Sequence, residues 1–433
     1  MDRFIGVAGI IVFVLLAFLL SEKRNKISWK LVGWGMILQV VLALLVLGIP
    51  ALGYQGLLHD LFVWANDAII ALLKFTEEGS RFIFGQLLDF EKSGFIFAFQ
   101  VLPTIIFMAS LMAILYHMGV MQIIVRGIAW VMQRTMGISG AESLSVAANI
   151  FVGQTEAPLV VRPYVATMTR SELLAVMTGG MATVAGGVMA AYVMLLKDRI
   201  PDIAGHLLTA SVMSAPAALA IAKLLIPETK TPETLGSIPK GSKEKVDRNL
   251  IEAAARGAGE GLSLALNVAA MLLAFIALIA LINAVFKTVG VWIGFETWGV
   301  DAVPHLIRGD KVPELTFEVV LGWIFAPMAW IMGIPWEEAG VAGTLLGEKI
   351  VLNEFVAYLH LSQLASHLSD RSVVILSYAL CGFANFSSIA IQIGGIGGIA
   401  PTRKSDLAEL GIRSVIGGSL AAFLTATIAG ILI

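Results

Sequence analysis

The sequence predicts an all-α, multi-pass membrane protein with about eight transmembrane helices, two re-entrant helical hairpins in inverted repeats, and interfacial helices. Three observations carry that expectation. Of 433 residues, 58% are hydrophobic and only 14% are charged, where soluble domains run to roughly a quarter charged. Apolar stretches long enough to cross about 30 Å of hydrocarbon recur along the chain. Two polar-interrupted regions, 127–157 and 326–357, break this pattern with flanks too short to span.

Composition also excludes classes. The net charge of −2 says little, because placement of charge matters more than its sum. The single cysteine, Cys381, permits no internal disulfide and no cysteine-based metal site. The histidines His59, His117, His206, His305, His360 and His367 are scattered, apart from the last two, and neither HExxH nor GxSxG occurs. "RGAGEG" at 256–261 follows no strand and reads as close helix packing rather than a nucleotide loop. No nucleic-acid partner is expected.

In chain order, residues 4–20 and 31–53 span. The stretch 55–90, with "LLHDLFVWANDAIIALLKF", alternates polar and apolar residues at helical spacing and reads as a helix lying at the interface or against a partner. Residues 94–118 span, and 119–136 again read as interfacial. Spans follow at about 171–196, 203–226 and 258–290. A polar loop covers 291–313, an amphipathic stretch 315–332, and the last spans are about 371–396 and 406–432. The N-terminus reads as an anchor rather than a cleaved signal, since Ser21-Glu22-Lys23-Arg24 follows it with no small-residue cleavage site. Lys23, Arg24, Lys26 and Lys30 follow the first span. Lys230, Lys240, Lys243, Lys245, Arg248 and Arg256 lie between the spans at 203–226 and 258–290. Arg403 and Lys404 lie between the last two. Eight crossings put all three loops on one side, the cytoplasm, and both termini outside.

The stretch "NIFVGQTEAPLVVRP", 149–163, needs its own account. A helix cannot run straight through Gly153 and Pro158 without losing backbone hydrogen bonds. Two half-length helices meeting at a polar tip fit better, and such hairpins require burial in protein or a wet cavity. An ionised carboxylate at bilayer depth costs roughly 2.5–3.5 kcal/mol even on a lenient scale, so Glu156 and Glu354 point to function. The plainer alternatives are a polar loop between two spans and, for each polar residue, helix–helix glue. The region 326–357 repeats the pattern. Each copy has Ala-Trp, then Met-Gly-Ile, then a glutamate (Glu142, Glu338), small residues, and a tip bearing Glu156 or Glu354. Downstream, "ATVAGG" at 182–187 stands where "ANFSSI" stands at 384–389. Three spans between the hairpins invert the second copy, the signature of secondary transporters.

"GQTEAPLVVRPY", "NEFVAY" and "GFANFSSIAI" resemble the motifs of concentrative nucleoside transporters, from about residue 94 to the C-terminus. The resemblance implies a homotrimer in a bacterial inner (plasma) membrane. It also implies a static scaffold and a mobile transport domain that moves like an elevator, importing nucleosides such as uridine. The division expected is 1–118 scaffold helices and interfacial helix, 119–226 first transport repeat, and 227–257 cytoplasmic loop. There follow 258–290 as the long scaffold helix, 291–313 as the external loop and 314–433 as the second transport repeat.

The residue types fit such a cargo. A carboxylate accepts two hydroxyl bonds, and charge-assisted bonds are the stronger kind. Glu354 therefore suits the ribose diol, with Asn385 and Ser388, three apart on one span, facing the same sugar. Gln154 offers a donor and an acceptor for a nucleobase edge. Thr155 and Glu156 complete that contact directly or through water, and Val188 and Phe383 wall the base. The resemblance places the coupling sodium at Asn149, Thr183 and the carbonyls of Val152 and Val184. Thr183 departs from an expected serine, and its extra methyl crowds the ion. The alternatives are a proton-coupled nucleoside symporter, a channel, and a membrane-embedded enzyme. No nucleophile–base pair or metal cluster accompanies Glu156 and Glu354 to support the last. No cofactor is expected.

Overall fold

Polar residues set where the helices begin. Ser139 caps one helix by accepting from the Glu142 backbone N–H while Glu142 reaches back to the Ser139 N–H. Thr169 and Glu172 make the same capping box thirty residues on, and Asn249, Thr316, Asn353, Ser369 and Asn385 each cap a helix with a side-chain oxygen. The computed structural model describes residues 2–49, 53–89, 92, 96–239, 247–299 and 312–433.

The helices of ten or more residues among them are α1 (Asp2–Leu19), α2 (Trp29–Val46), α3 (His59–Phe84), α4 (Leu102–His117), α5 (Val120–Met136), α6 (Gly140–Asn149), α7 (Arg170–Ala182), α8 (Gly186–Leu196), α9 (Ile203–Leu225), α10 (Leu250–Trp292), α11 (Phe317–Ile331), α12 (Trp336–Val351), α13 (Glu354–Leu364), α14 (Asp370–Leu380), α15 (Phe386–Ile399) and α16 (Lys404–Leu432).

Among the described residues, six helical stretches are long and apolar enough to cross a membrane: Trp29–Val46, Phe97–His117, Arg170–Leu196, Ile203–Leu225, Leu250–Trp292 and Pro401–Leu432. The sequence predicts eight. Of the other two, Ile5–Leu19 is short, and the predicted span at 371–396 is divided between α14 and α15. The helix boundaries of α10 also differ from expectation. It begins at Leu250, inside the predicted 227–257 loop, because Asn249 caps it and Arg256 is paired with Asp247 and Glu260. The predicted 291–313 loop falls mostly on 300–311, outside the described residues, as do Lys240, Lys243 and Lys245.

The glycines of 256–261 do pack helices closely. A Cβ on Gly257 would lie 2.6 Å from Ala113 Cβ, and one on Gly261 2.8 Å from Ala109 Cβ, so α10 lies against α4. Burial divides the molecule. The most apolar parts of Arg170–Leu196, Ile203–Leu225 and Pro401–Leu432 are almost wholly buried, whereas that of Leu250–Trp292 is mostly exposed. The core is thus α7, α8, α9 and α16, with α1 and α14 also packed on α16.

The two polar-interrupted regions fold as hairpins that approach from opposite ends of α16. At the start of α16, Arg403 donates to the carbonyls of Ala166 and Met168 just beyond the first hairpin, 3.1 and 2.6 Å away. At its end, Arg371 bonds the carbonyls of Gly333 and Gly430, at the foot of the second. A helix of 29 residues is roughly 43 Å long, so the feet lie far apart and the tips point inward. The first hairpin breaks where the sequence requires. α6 stops at Asn149, and the return begins as a tight helical turn over Ala157–Val161 containing Pro158. In the second, α12 folds back from α11 through 118°, and Asn353 restarts the chain as α13.

Candidate functional site

Two interrupted helices cross at the centre. α7 ends at Ala182 and α8 begins at Gly186; α14 ends at Leu380 and α15 begins at Phe386. The breaks touch. Gly382, at φ +132°, lies so close to Met181 that a Cβ there would sit 2.7 Å from the Met181 carbonyl oxygen. Only glycine adopts that backbone without strain and also fits the gap. The first hairpin tip is tied to the first break by the Gly186 N–H, which donates to the Phe151 carbonyl at 3.0 Å.

Side chains from both hairpins converge on the N-terminal end of α15. Gln154, from the first tip, donates to Ser388 Oγ at 3.0 Å and accepts from Gln392 Nε2 at 3.0 Å. Gln392 also donates to the Met177 carbonyl, and its own Oε1 is buried without a partner. From the second hairpin, Glu354 accepts from Asn385 Nδ2 at 2.9 Å and from the Tyr192 hydroxyl at 2.9 Å. Asn385 Oδ1 caps α15 by accepting from the Ser388 N–H at 2.9 Å. The positive end of α15 therefore faces the Glu354 carboxylate. Ring packing fixes Tyr192: it stacks on Tyr358 with centroids 4.2 Å apart and meets Phe355 edge-on.

Close approaches position the first tip. A Cβ on Gly180 would stand 2.8 Å from Gln154 Cβ, and one on Gly395 would collide with Thr155 Cγ2. Thr155 is half-buried, while Glu156 is exposed and turned back over Gly153. Glu156 thus stands apart from the Gln154–Ser388–Gln392 chain. Val188 is buried in α8 and Phe383 half-buried in the second break; both pack into the main apolar core.

The expected ion ligands lie at the end of α6, on the first tip and in the first break, which the Gly186–Phe151 hydrogen bond joins. Asn149 is 1% exposed; its Nδ2 donates to the Ser145 carbonyl at 3.3 Å, and its Oδ1 has no partner. Ser145 Oγ is buried and unpartnered as well. The Thr183 hydroxyl donates to the Gly179 carbonyl at 2.9 Å, leaving its lone pairs free to accept a cation. Val184 is buried beside it and Val152 half-buried on the tip. Unsatisfied buried oxygens are costly, and hard oxygens are what a sodium ion takes, so the donor set fits that ion.

Two side chains of this cluster were not anticipated: Gln392 and Tyr192. Gln392 had a signal, because Asn385, Ser388 and Gln392 form a polar stripe on one face of an apolar helix. Among the described residues no group of three or more His, Cys, Asp or Glu is placed to hold a metal.

Three family models match: Na+ dependent nucleoside transporter N-terminus over 8–87, Nucleoside recognition over 98–199, and Na+ dependent nucleoside transporter C-terminus over 206–430. An uncharacterized transporter of Haemophilus influenzae is 44% identical over 99% of this chain and 97% of its own length. Sodium/nucleoside cotransporter 1 of Mus musculus is 42% identical over 100% of this chain and 64% of its own length. Among solved structures, CNTnw in an inward-facing substrate-bound state is 43% identical, with a TM-score of 0.87, covering 100% of this chain and 98% of that one. A variant of CNTnw in an outward-facing state aligns with a TM-score of 0.88 at 43% identity, over 100% and 98%. These relatives are membrane transporters and not enzymes. The chain therefore belongs to the concentrative nucleoside transporter family, multi-pass membrane proteins that carry nucleosides.

Proposed function

We propose that this transporter is a sodium-coupled symporter that imports nucleosides such as uridine by alternating access. The observation that carries the reading is the convergence of Gln154 and Glu354, one from each hairpin, on Asn385, Ser388 and Gln392. Their chemistry divides as a nucleoside does. The Glu354 carboxylate has about four lone-pair sites and uses two on Tyr192 and Asn385, so acceptors remain for a vicinal diol. Gln154 presents an amide to the base, and a bound nucleoside would replace Ser388 or Gln392 as its partner. Thr155, and Glu156 once the tip closes, extend the base contact, with Val188 and Phe383 as walls. Sodium fits at Asn149 and Thr183 with the carbonyls of Val152 and Val184, a reading supported by the unpartnered Asn149 Oδ1.

The same reading extends to the rest of the cycle. The hairpins and broken helices, 119–226 and 314–433, form the moving unit, and 1–118 with the long helix of 258–290 forms the scaffold. Homotrimer assembly is supported by α10, whose Leu266, Leu273, Leu281 and Val285 are exposed in the single chain and need lipid or a second copy. Placement in a bacterial inner membrane with both termini outside is supported by the charges at one end. Arg170 pairs with Glu409 and Glu22, Arg413 also pairs with Glu22, and the Glu22 N–H donates to the Leu225 carbonyl. The basic loops after α1, after α9 and before α16 thus share one end, which the positive-inside rule makes cytoplasmic. Uptake of radiolabelled uridine into proteoliposomes tests the whole: accumulation under a sodium gradient and none with choline is expected. Accumulation driven only by a pH gradient would make it a proton symporter, and flux without accumulation a channel.

A further inference from the structure

The two breaks are in register. Thr169 and Ser369 cap α7 and α14, and Ala185 and Asn385 precede α8 and α15, each pair 200 residues apart. At that interval Gly179 matches Ala379, and Lys349 lies in the last turn of α12 as Asn149 lies in the last turn of α6. In the first repeat the Gly179 carbonyl, near the C-terminal end of α7, accepts from the Thr183 hydroxyl, and the neighbouring Asn149 Oδ1 is unpartnered. In the second repeat the Ala379 carbonyl, near the C-terminal end of α14, accepts from Lys349 Nζ at 2.7 Å. Lys349 is fully buried, with its ammonium 5.9 Å from the centre of the Phe423 ring.

The C-terminal end of a helix carries partial negative charge and attracts cations, and in transporters such ends of broken helices coordinate ions. Each repeat here has such an end beside the last turn of a hairpin's first helix. One presents oxygens; the other already holds an ammonium. We infer that Lys349 is the tethered cation of the second repeat, occupying the counterpart of the place where the first repeat binds a free ion.

Three consequences follow. A covalent ammonium stays in place through the cycle, so it draws nothing from the ion gradient, and one free cation should accompany each nucleoside. It also orders the second tip permanently, as the free ion orders the first only when bound. Lastly, it lies in the same hairpin as Glu354, five residues away, and supplies positive charge to a region where that carboxylate is buried. Lys349 is thus a positioning residue for the ribose contact, and this assignment rests on the sodium reading of Asn149 and Thr183.

The test uses the full chain. In proteoliposomes, the sodium-to-uridine ratio of the wild type, from reversal potentials, should be one; a ratio of two overturns the assignment and leaves the Asn149 site standing. Wild-type uridine binding that ignores sodium refutes the Asn149 reading, and with it this one. The second arm is Lys349→Met, which keeps the stem and removes the charge, checked for folding by its melting temperature. Uridine affinity by calorimetry should fall roughly tenfold or more, and the sodium dependence of the remaining binding should steepen, as a second ion enters the vacated place. Lys349→Arg should keep the wild-type sodium coefficient. A folded Lys349→Met protein with wild-type uridine affinity and an unchanged sodium coefficient would make the lysine a packing residue. Should Lys349→Met fail to fold, the wild-type ratio still decides.

Discussion

At Glu354 two neutral donors, Tyr192 and Asn385, hold a buried carboxylate in place without neutralising it. Its remaining lone pairs make it an acceptor for hydroxyls, and hydrogen bonds to a charged group are worth about 1.5–3 kcal/mol. Glu354→Gln keeps the shape, loses the charge and turns half of the group into a donor. Calorimetric affinity for uridine should fall by about tenfold to a hundredfold, and uptake should nearly vanish; unchanged affinity removes Glu354 from the site. Gln154 acts differently. A site that hydrogen-bonds one ligand rejects the analogue that leaves its polar groups unpaired. Gln154→Ala should therefore flatten the ratio of uridine to cytidine uptake more than it lowers either rate. A fall in both with the ratio preserved would mark Gln154 as structural. The same chemistry explains which residues were legible in the sequence. Gln154, Glu354, Asn385 and Ser388 are polar groups in apolar surroundings, so their type alone marks them. Tyr192, inside "GGVMAAYVMLL", reads as a core aromatic until Glu354 is seen 2.9 Å from its hydroxyl. Lys349 follows Glu348 in "LLGEKIVL" and reads as one of a charged pair, yet Glu348 bonds His360 instead and Lys349 turns to Ala379.

Helix interruptions do the positioning at the next scale. The breaks at Thr183 and Phe383 expose helix ends inside the core, and close glycine contacts set how near the first tip can come. Gly395 on α15 faces the methyl of Thr155, with no room for a Cβ. Gly395→Ala should push the tip away and lower uridine affinity, on the order of tenfold, with little change in melting temperature because the strain is local. Thr155→Ser removes the methyl and keeps the hydroxyl, so the double variant should regain most of the lost affinity. Purely additive losses in this double-mutant cycle would mean that the two side chains do not meet in the working protein. The break at the first tip was readable in advance, because Gly153 and Pro158 act through local backbone geometry. The start of α10 was not, since a charged stretch reads as a loop until Asp247 and Glu260 are seen to pair with Arg256. Nor could the sequence tell which way a tip faces: Glu156 has the composition of a buried site residue but is exposed in the single chain.

Across the whole molecule the hairpins enter from opposite ends, so loading one tip and loading the other are separate events unless something couples them. The Gly186-to-Phe151 hydrogen bond already links the first tip to the first break, and Gly382 presses the second break against the first. A sodium ion held by Asn149 and Thr183 would tighten this contact and order Gln154 before the nucleoside arrives. Ion binding should then raise nucleoside affinity, and linkage requires the nucleoside to raise sodium affinity by the same factor. Couplings of this kind typically amount to 1–3 kcal/mol, or about 5- to 150-fold. Asn149→Leu removes the unpartnered oxygen and fills its place with an apolar group. It should weaken sodium dependence and uridine affinity in sodium together, while leaving sodium-free binding nearly untouched. Titrating uridine into detergent-purified protein at several sodium concentrations, with choline as the replacement ion, separates these effects. Wild-type curves that superimpose at every sodium concentration would reduce Asn149 and Thr183 to packing. Curves that shift in the wild type but not in Asn149→Leu, and that converge without sodium, would place the coupling at the first tip.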